Sequence, residues 1–251
     1  MNQERRSKIL QLINAQGTVS NEELIKTFGI SIETVRRDLS FLEKQGLLER
    51  VYGGAVKKTF LRVEPSYQNR ELKHTEEKIA IAEAAKAFIE PNDTVFFDLG
   101  TSVLYLAQRV TSDKNVTAFT NALRTAIALS ENGCKVVILG GEIRKGELSL
   151  TGTLTKENIQ RFNFDKAFIG VAGITKNGLT DFIIDEANIR AEIIKNARKT
   201  IVLADHSKFG VRTMCRVCDI KDVDVIITDK HTPENVLKDL EHDNLEIIVA
   251  E

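Results

Sequence analysis

Five short stretches carry small, polar and charged residues suited to holding an anion with several hydroxyl groups. They are Asp98-Leu99-Gly100-Thr101-Ser102, Thr120-Asn121, Gly140-Gly141, Gly170 with Gly173 close behind, and Ala204 to Gly210 around Lys208. Glycine lets a backbone approach a ligand closely. The N–H groups of Gly100, Thr101 and Ser102, at the start of a predicted helix, favour an anion such as phosphate. Lys208 and Arg144 could pair with that charge, while Asp98 and Glu186 could accept sugar hydroxyls or hold Lys208 in place. Two other readings stay open. Gly and Asp could simply make the turns such folds need. Asp98, Glu186 and Lys208 could also serve as acid, base and electrostatic stabiliser in an isomerase or deaminase, although nothing in the spacing fixes their mutual geometry.

What must position these residues is a set of apolar, β-rich runs: Thr94 to Phe97, Val116 to Phe119, Lys135 to Leu139, Ala167 to Ile169, Thr200 to Leu203, Val225 to Thr228 and Glu246 to Val249. Helical stretches lie between several of them, at Val103 to Val110, Leu123 to Asn132 and Glu186 to Ala197. Strands alternating with helices predict a Rossmann-like, mostly parallel α/β domain over 76–251. In an open sheet of that kind the carboxyl ends of the strands converge on one crevice, where ligands bind. Residues 58–75, with Pro65 and no clear periodicity, read as a linker.

Residues 1–57 have another texture. A helix is expected from Arg5 to Gln16, with Ile9, Leu10, Leu12 and Ile13 as its apolar stripe. Ser20 and Glu23 form an S-x-x-E capping box that opens a second helix ending near Phe28. Gly29 makes a turn, and Ser31 caps a third helix from Ile32 to Gln45. This is a helix-turn-helix, over about 20–39. On the third helix Ile32, Val35, Leu39 and Leu42 share the packed side. Glu33, Arg37, Ser40 and Lys44 point outward, flanked by Thr34 and Arg36. Together with Ser31 and Lys57 these are the candidate contacts to double-stranded DNA. Arg37 is the most outward cation, able to fork onto a guanine edge or a phosphate. Asp38 lies nearer the packed side and is expected to orient an Arg or accept an internal hydrogen bond. Two apolar runs around Gly53-Gly54 predict a hairpin, the wing, followed by Lys57 and Lys58.

Arg5, Ile9, Ile13, Ser31 and Thr34-Val35-Arg36-Arg37-Asp38-Leu39 fall at the spacings of the DeoR-type helix-turn-helix signature, and Gly46 to Gly54 resembles the stretch that follows it. The second region resembles the sensor domain of the same family at Asp98 to Ser102, Thr120-Asn121, Gly140-Gly141, Asp165 to Gly173, Gly178-Leu179-Thr180, Glu186-Ala187 and Leu203 to Gly210. The resemblance implies a winged helix-turn-helix followed by a domain similar in fold to sugar-phosphate isomerases. It implies a transcriptional regulator, a repressor more often than an activator, of a carbohydrate-use operon. Its partners would be operator DNA and a phosphorylated sugar or related intermediate. The chain departs from the family where Leu99 and Ala122 stand at positions that often carry Ser, so two hydroxyl contacts are missing.

Bulk properties agree with a small DNA reader on an acidic body. The net charge is −1, but residues 1–60 hold ten Lys/Arg against seven Asp/Glu while the rest carries −4. The polar start, Met1 to Lys8, and the lack of any membrane-length apolar run predict a cytoplasmic protein. Symmetric assembly into a homodimer or homotetramer is expected, since paired heads read paired half-sites. No cofactor and no catalytic residue is expected. Cys134, Cys215 and Cys218 are too few for a disulfide framework, and one C-x-x-C lacks a second pair for zinc. His206 sits in the expected crevice. His74, His231 and His242 are far apart in sequence, which argues against a metal site.

Overall fold

A computed structural model describes residues 2–45, 47–57, 63–240 and 242–251. The chain divides into two compact units, one up to Val63 and one from Glu64 onward.

In the first unit α1 (Asn2–Gln16) leads into β1 (Thr18–Ser20), α2 (Asn21–Phe28), α3 (Ile32–Lys44), β2 (Leu48–Val51) and β3 (Gly54–Lys57). Ser20 accepts a hydrogen bond from the Glu23 N–H at 3.0 Å, which satisfies a free donor at the start of α2. Gly29 closes that helix in the left-handed conformation, φ 61°. Ser31 then accepts from the Thr34 N–H at 3.3 Å to open α3. Ile9, Ile13, Leu24, Val35, Leu39, Leu42 and Leu48 are buried together. Ile32, at the first position of α3, is only half-buried. The sequence did not announce β1, three residues that pair antiparallel with β3 and make the wing a three-stranded sheet of order β1-β3-β2. That pairing explains Gly54, where a Cβ would lie 2.1 Å from the Val19 carbonyl oxygen. Lys58 and Gly46 lie outside the described residues, and of Lys57 only the strand backbone is described.

The second unit begins with α4 (Tyr67–Glu71) and α5 (Thr75–Lys86), followed by β4 (Thr94–Phe97), α6 (Thr101–Ala107), β5 (Thr117–Thr120), α7 (Leu123–Glu131) and β6 (Lys135–Ile138). A hairpin of β7 (Glu142–Arg144) and β8 (Ser149–Thr151) leads to α8 (Thr153–Ile159) and β9 (Phe164–Gly170). Next come β10 (Gly173–Thr175), β11 (Gly178–Asp181), α9 (Ile184–Lys195), β12 (Ala197–Leu203) and β13 (Cys215–Cys218). The chain ends with β14 (Val225–Asp229), α10 (Glu234–Lys238) and β15 (Glu246–Ala250). Seven strands, in the order β15-β14-β12-β9-β4-β5-β6, form one sheet in which every pairing is parallel. They are the seven runs expected from the sequence, with ends shifted by up to three residues.

Alternation along the strands builds two cores. Val95, Phe97, Phe168, Ile201, Leu203, Val225 and Ile227 face α5 and α6, packing on Ile81, Ala85, Val103 and Leu106. Phe96, Ala167, Ile169, Val202 and Ile226 face the other way, onto Ile159 of α8 and Ile189 and Ile193 of α9. Helices therefore cover both sheet faces, as a parallel sheet requires. The linker expected over 58–75 is corrected in its second half. Residues 67–71 form α4, and Tyr67 is buried under the Arg124 guanidinium, 4.3 Å from the ring centroid. Polar composition hid one aromatic anchor. Among the described residues no helix is long and apolar enough to cross a membrane.

Candidate nucleic-acid interface and ligand crevice

The outward face of α3 is as the helical period requires. Ser31, Glu33, Arg36, Arg37 and Lys44 are exposed, and Thr34 and Ser40 are half-buried. Arg37 makes no hydrogen bond or ion pair among the described residues, so its fork is free. Ser31 and Thr34 are partly committed to each other, their hydroxyls 3.2 Å apart. Backbone and Ser31 hydrogen bonds hold the Glu33 carboxyl below its ordinary pKa. Ser40 accepts from the Arg50 guanidinium at 2.6 Å, and Glu43 accepts from the Arg50 N–H at 3.1 Å, so the first wing strand is tied to the third helix. Arg50 was not among the expected residues, nor was Tyr52, fully exposed at the wing tip beside Gly53 (φ 85°). Asp38 does accept an internal hydrogen bond, and in fact two. Arg5 and Arg6 of α1 each donate Nε–H to it at 2.7 Å, and the carboxylate is buried. Arg6 also lies 3.8 Å over the Phe41 ring.

In the second unit the strand order reverses between β4 and β9: β5 and β6 lie on one side of β4, and β9, β12, β14 and β15 on the other. Asp98 and Gly170 end those two strands, at the switch point where such folds bind ligands. The Gly170 N–H donates to Asp98 Oδ2 at 3.1 Å. A Cβ on Gly170 would come within 2.8 Å of the Leu99 carbonyl oxygen. Gly100, at φ 123°, opens α6, whose Thr101 and Ser102 are buried. Arg190 of α9 is the residue that sequence reasoning missed. It donates to Asp98 at 2.6 Å and also to Asp181, and is itself buried. Burial works against its charge, yet Asp98, Asp181 and Glu186 together hold the guanidinium above its ordinary pKa. Burial pushes the carboxyls of Asp98 and Glu186 up.

Glu186 accepts from Ser149 at 2.6 Å and from Arg144 at 3.4 Å. Arg144 also bonds Glu64, which Arg70 shares. Arg144, a candidate partner for phosphate, is thus already paired with two carboxylates. Gly140-Gly141 is also closely packed. A Cβ on Gly141 would lie 1.9 Å from the Thr155 hydroxyl, and that hydroxyl donates to the Gly140 carbonyl at 2.8 Å. These glycines serve the packing of the hairpin on α8. Thr120 accepts from the Ala122 N–H, and Asn121 donates to the Leu150 carbonyl at 3.1 Å. Among the described residues three buried acceptor atoms around the switch point have no hydrogen-bond partner: Asp98 Oδ1, Asn121 Oδ1 and Glu186 Oε2.

The Lys208 ammonium, on the loop after β12, makes no hydrogen bond or ion pair among the described residues, while its backbone N–H donates to the Asp205 carbonyl at 3.0 Å. Burial works against the charge of Asp205 on the same loop, yet the Lys208 ammonium and the Ser207 hydroxyl hold its carboxyl below the ordinary pKa. Surface hollows lined by Ile79 and Glu83, and by Thr180 and Arg212, include none of the expected effector residues. Cys215 and Cys218 pair with Asp181 and Leu179 of β11 across a bulge in the pairing, and both pack against the same core. The separation expected between the histidines is corrected: His74 and His231 both reach His206, with ring centroids 4.6 and 5.5 Å apart.

Both units match one family in full-length order. Residues 5–59 match the DeoR-like helix-turn-helix domain, and residues 73–230, more than half the chain, match the DeoR C terminal sensor domain. The chain belongs to the DeoR family. It is 34% identical over 251 residues to the putative aga operon transcriptional repressor of Escherichia coli O157:H7, across 98% of this chain and 93% of that one. It is 32% identical to the glycerol-3-phosphate regulon repressor of Escherichia coli K12, across 97% of each. The solved full-length sorbitol operon regulator SorC of Klebsiella pneumoniae is 14% identical with a TM-score of 0.43, covering 94% of this chain and 98% of that one. Ribose 5-phosphate isomerase A of Methanocaldococcus jannaschii is 13% identical with a TM-score of 0.40, covering 54% and 55%. Neither structural likeness is close enough to carry a functional argument. This DeoR-family chain is a DNA-binding transcriptional regulator and not an enzyme of the isomerase or deaminase kind.

Proposed function

We propose that this regulator represses a carbohydrate-use operon and is released from its operator by a phosphorylated sugar or a related intermediate. It acts in the cytoplasm as a homodimer or homotetramer, so that paired heads engage paired half-sites. Arg37 is the central base or phosphate contact, with Ser31, Glu33, Thr34, Arg36, Ser40 and Lys44 around it and the Lys57 region against the backbone. The observation that carries the ligand reading is the trio of unpartnered buried acceptors, on Asp98, Asn121 and Glu186. Each unsatisfied buried acceptor costs about 1–3 kcal/mol, and a ligand presenting several hydroxyl donors removes that cost. Lys208, with the N–H groups of Gly100 to Ser102, takes the anionic end. Relatives named for the aga operon and the glycerol-3-phosphate regulon support the same direction.

Fluorescence anisotropy of the purified protein on its own upstream DNA, with and without a panel of sugar phosphates, tests this reading. We expect binding that weakens steeply with salt and is released by at least one compound. Lys208→Ala should keep wild-type DNA affinity and need more compound for release. By linkage, operator DNA should weaken binding of that compound by the same factor. DNA binding that no phosphorylated compound shifts would overturn the effector assignment. A wild-type response in Lys208→Ala would remove Lys208 from the site.

A further inference from the structure

Three of the chain's four histidines meet at one place, although they stand at positions 74, 206 and 231. The fold gathers them. His206 follows β12 and His231 follows β14, neighbouring strands of the sheet, while His74 begins α5, which packs over β14. Asp205, 1% exposed, lies beside them. His74, Asp205 and His206 each offer a ligand atom within 4.8 Å of the other two.

The side chains around this cluster are arranged as a metal's outer shell would be. Asp229 places its two carboxylate oxygens 3.0 and 3.1 Å from His206 Nδ1. It is itself fixed by the N–H groups of His206 and His231, at 2.7 and 2.9 Å. A carboxylate on Nδ1 sets the tautomer, turns the ring and leaves the Nε2 lone pair for a cation. Asp205 spends Oδ1 on the Ser207 N–H and hydroxyl, while Oδ2 has no hydrogen-bond partner among the described residues. The nearby Lys78 ammonium is turned away, donating to the carbonyls of Arg70 and Lys73.

We propose that His74, Asp205 and His206 bind a divalent cation of the zinc class, with Asp229 orienting His206. Two imidazoles and one carboxylate suit zinc, cobalt or nickel. Magnesium and calcium prefer a shell made almost wholly of oxygen. Bonds of about 2.0–2.2 Å place tetrahedral ligand atoms roughly 3.5 Å apart, a closure that rotation of the half-buried His74 side chain provides. Three protein ligands leave a fourth position for water. His231, whose Nε2 lies 3.8 Å from Glu77, stands at the edge of the cluster and is not needed as a ligand. The site shares its loop with Lys208, but the observations behind it do not depend on the sugar-phosphate reading.

The test is a titration of the full-length protein, stripped with a chelator, with cobalt(II), whose tetrahedral complexes absorb visible light strongly. One saturable ion per chain is expected, displaced by zinc. His74→Gln and Asp205→Asn should each abolish the tetrahedral spectrum, whereas His242→Gln, at the fourth histidine, should leave it unchanged. Asp229→Asn should weaken affinity about 10- to 100-fold without removing the spectrum. Circular dichroism checks that each variant is folded, and if Asp205→Asn is not, His74→Gln decides. No saturable cobalt spectrum in the wild-type protein, or one of unchanged affinity in folded His74→Gln, would overturn the proposal.

Discussion

The two units solve opposite problems with similar residues. In the first, the charged groups that face a partner are on the surface, and Arg37 has nothing to hold it. In the second, the charged groups at the switch point are buried and bonded to one another: Arg190 to Asp98 and Asp181, Arg144 to Glu64 and Glu186. An exposed cation costs little to keep unpaired, because water solvates it, and it contributes when DNA displaces counterions. A buried carboxylate cannot be kept that way. The proposed ligand crevice would therefore also be part of the domain's stability, while the proposed DNA-facing surface would be nearly separable from the stability of its domain.

The sharpest way to break that contrast is at Arg190. Arg190→Met removes the only cation bonded to Asp98 among the described residues and leaves Asp98 and Asp181 buried with backbone N–H donors but without that counter-charge. We expect a loss of about 3–5 kcal/mol from the second unit, read by denaturant unfolding, and a collapse of effector response with it. A variant as stable as wild type would show that Asp98 is taken up neutral at no cost. The corresponding cut in the first unit is Asp38→Ala. Its partners Arg5 and Arg6 keep about a fifth of their side chains in water, so losing the carboxylate costs less. A loss of about 1.5–3 kcal/mol is expected, again by unfolding. Arg37→Ala should show the separability directly. Operator affinity should fall by about 1–3 kcal/mol in anisotropy, with unfolding and effector affinity unchanged. If Arg37→Ala destabilised the domain instead, the exposed face would not be independent of the fold.

The same contrast decides what could be read from the amino-acid sequence. Whether a residue faces out of a helix follows from the residues beside it, so the α3 face from Ser31 to Lys44 was legible from one period. The main sheet was legible because strands buried on both faces are continuous apolar runs. The hairpin of β7 and β8, and β10, β11 and β13, were not, since none of these segments holds a continuous apolar run. Arg144 misled because its partner Glu64 lies 80 residues away, and the sequence held no sign that 64–71 folds onto this unit. Arg190 did leave a sign. It shares the α9 face of Ala187, Ile193 and Ile194, all buried, and an arginine on an apolar face needs a buried carboxylate. The histidines were legible only once β12 and β14 were known to be neighbours.

The smallest expected effect sharpens the comparison with pH. Lys78 is 2% exposed, and burial pulls its ammonium down to about 8, against the opposing pull of Asp205. No lysine described in the first unit is buried in this way. A lysine whose pKa is lower folded than unfolded binds fewer protons in the folded state. Between pH 8 and the unfolded value of 10.5, the unfolded chain therefore holds the extra proton, and stability rises with pH. The carbonyls of Arg70 and Lys73 accept from the same ammonium and favour its charged form, so the gain should stay below about 1 kcal/mol per pH unit. Other lysines and tyrosines titrate in this range as well, and the difference between wild type and Lys78→Met isolates the one group. Urea unfolding at pH 7.5 and 9.5 should show wild type gaining on Lys78→Met as pH rises. A difference that stays constant would mean that Lys78 remains charged throughout, held by its two carbonyls and Asp205, and that burial in this unit shifts carboxylates without shifting amines.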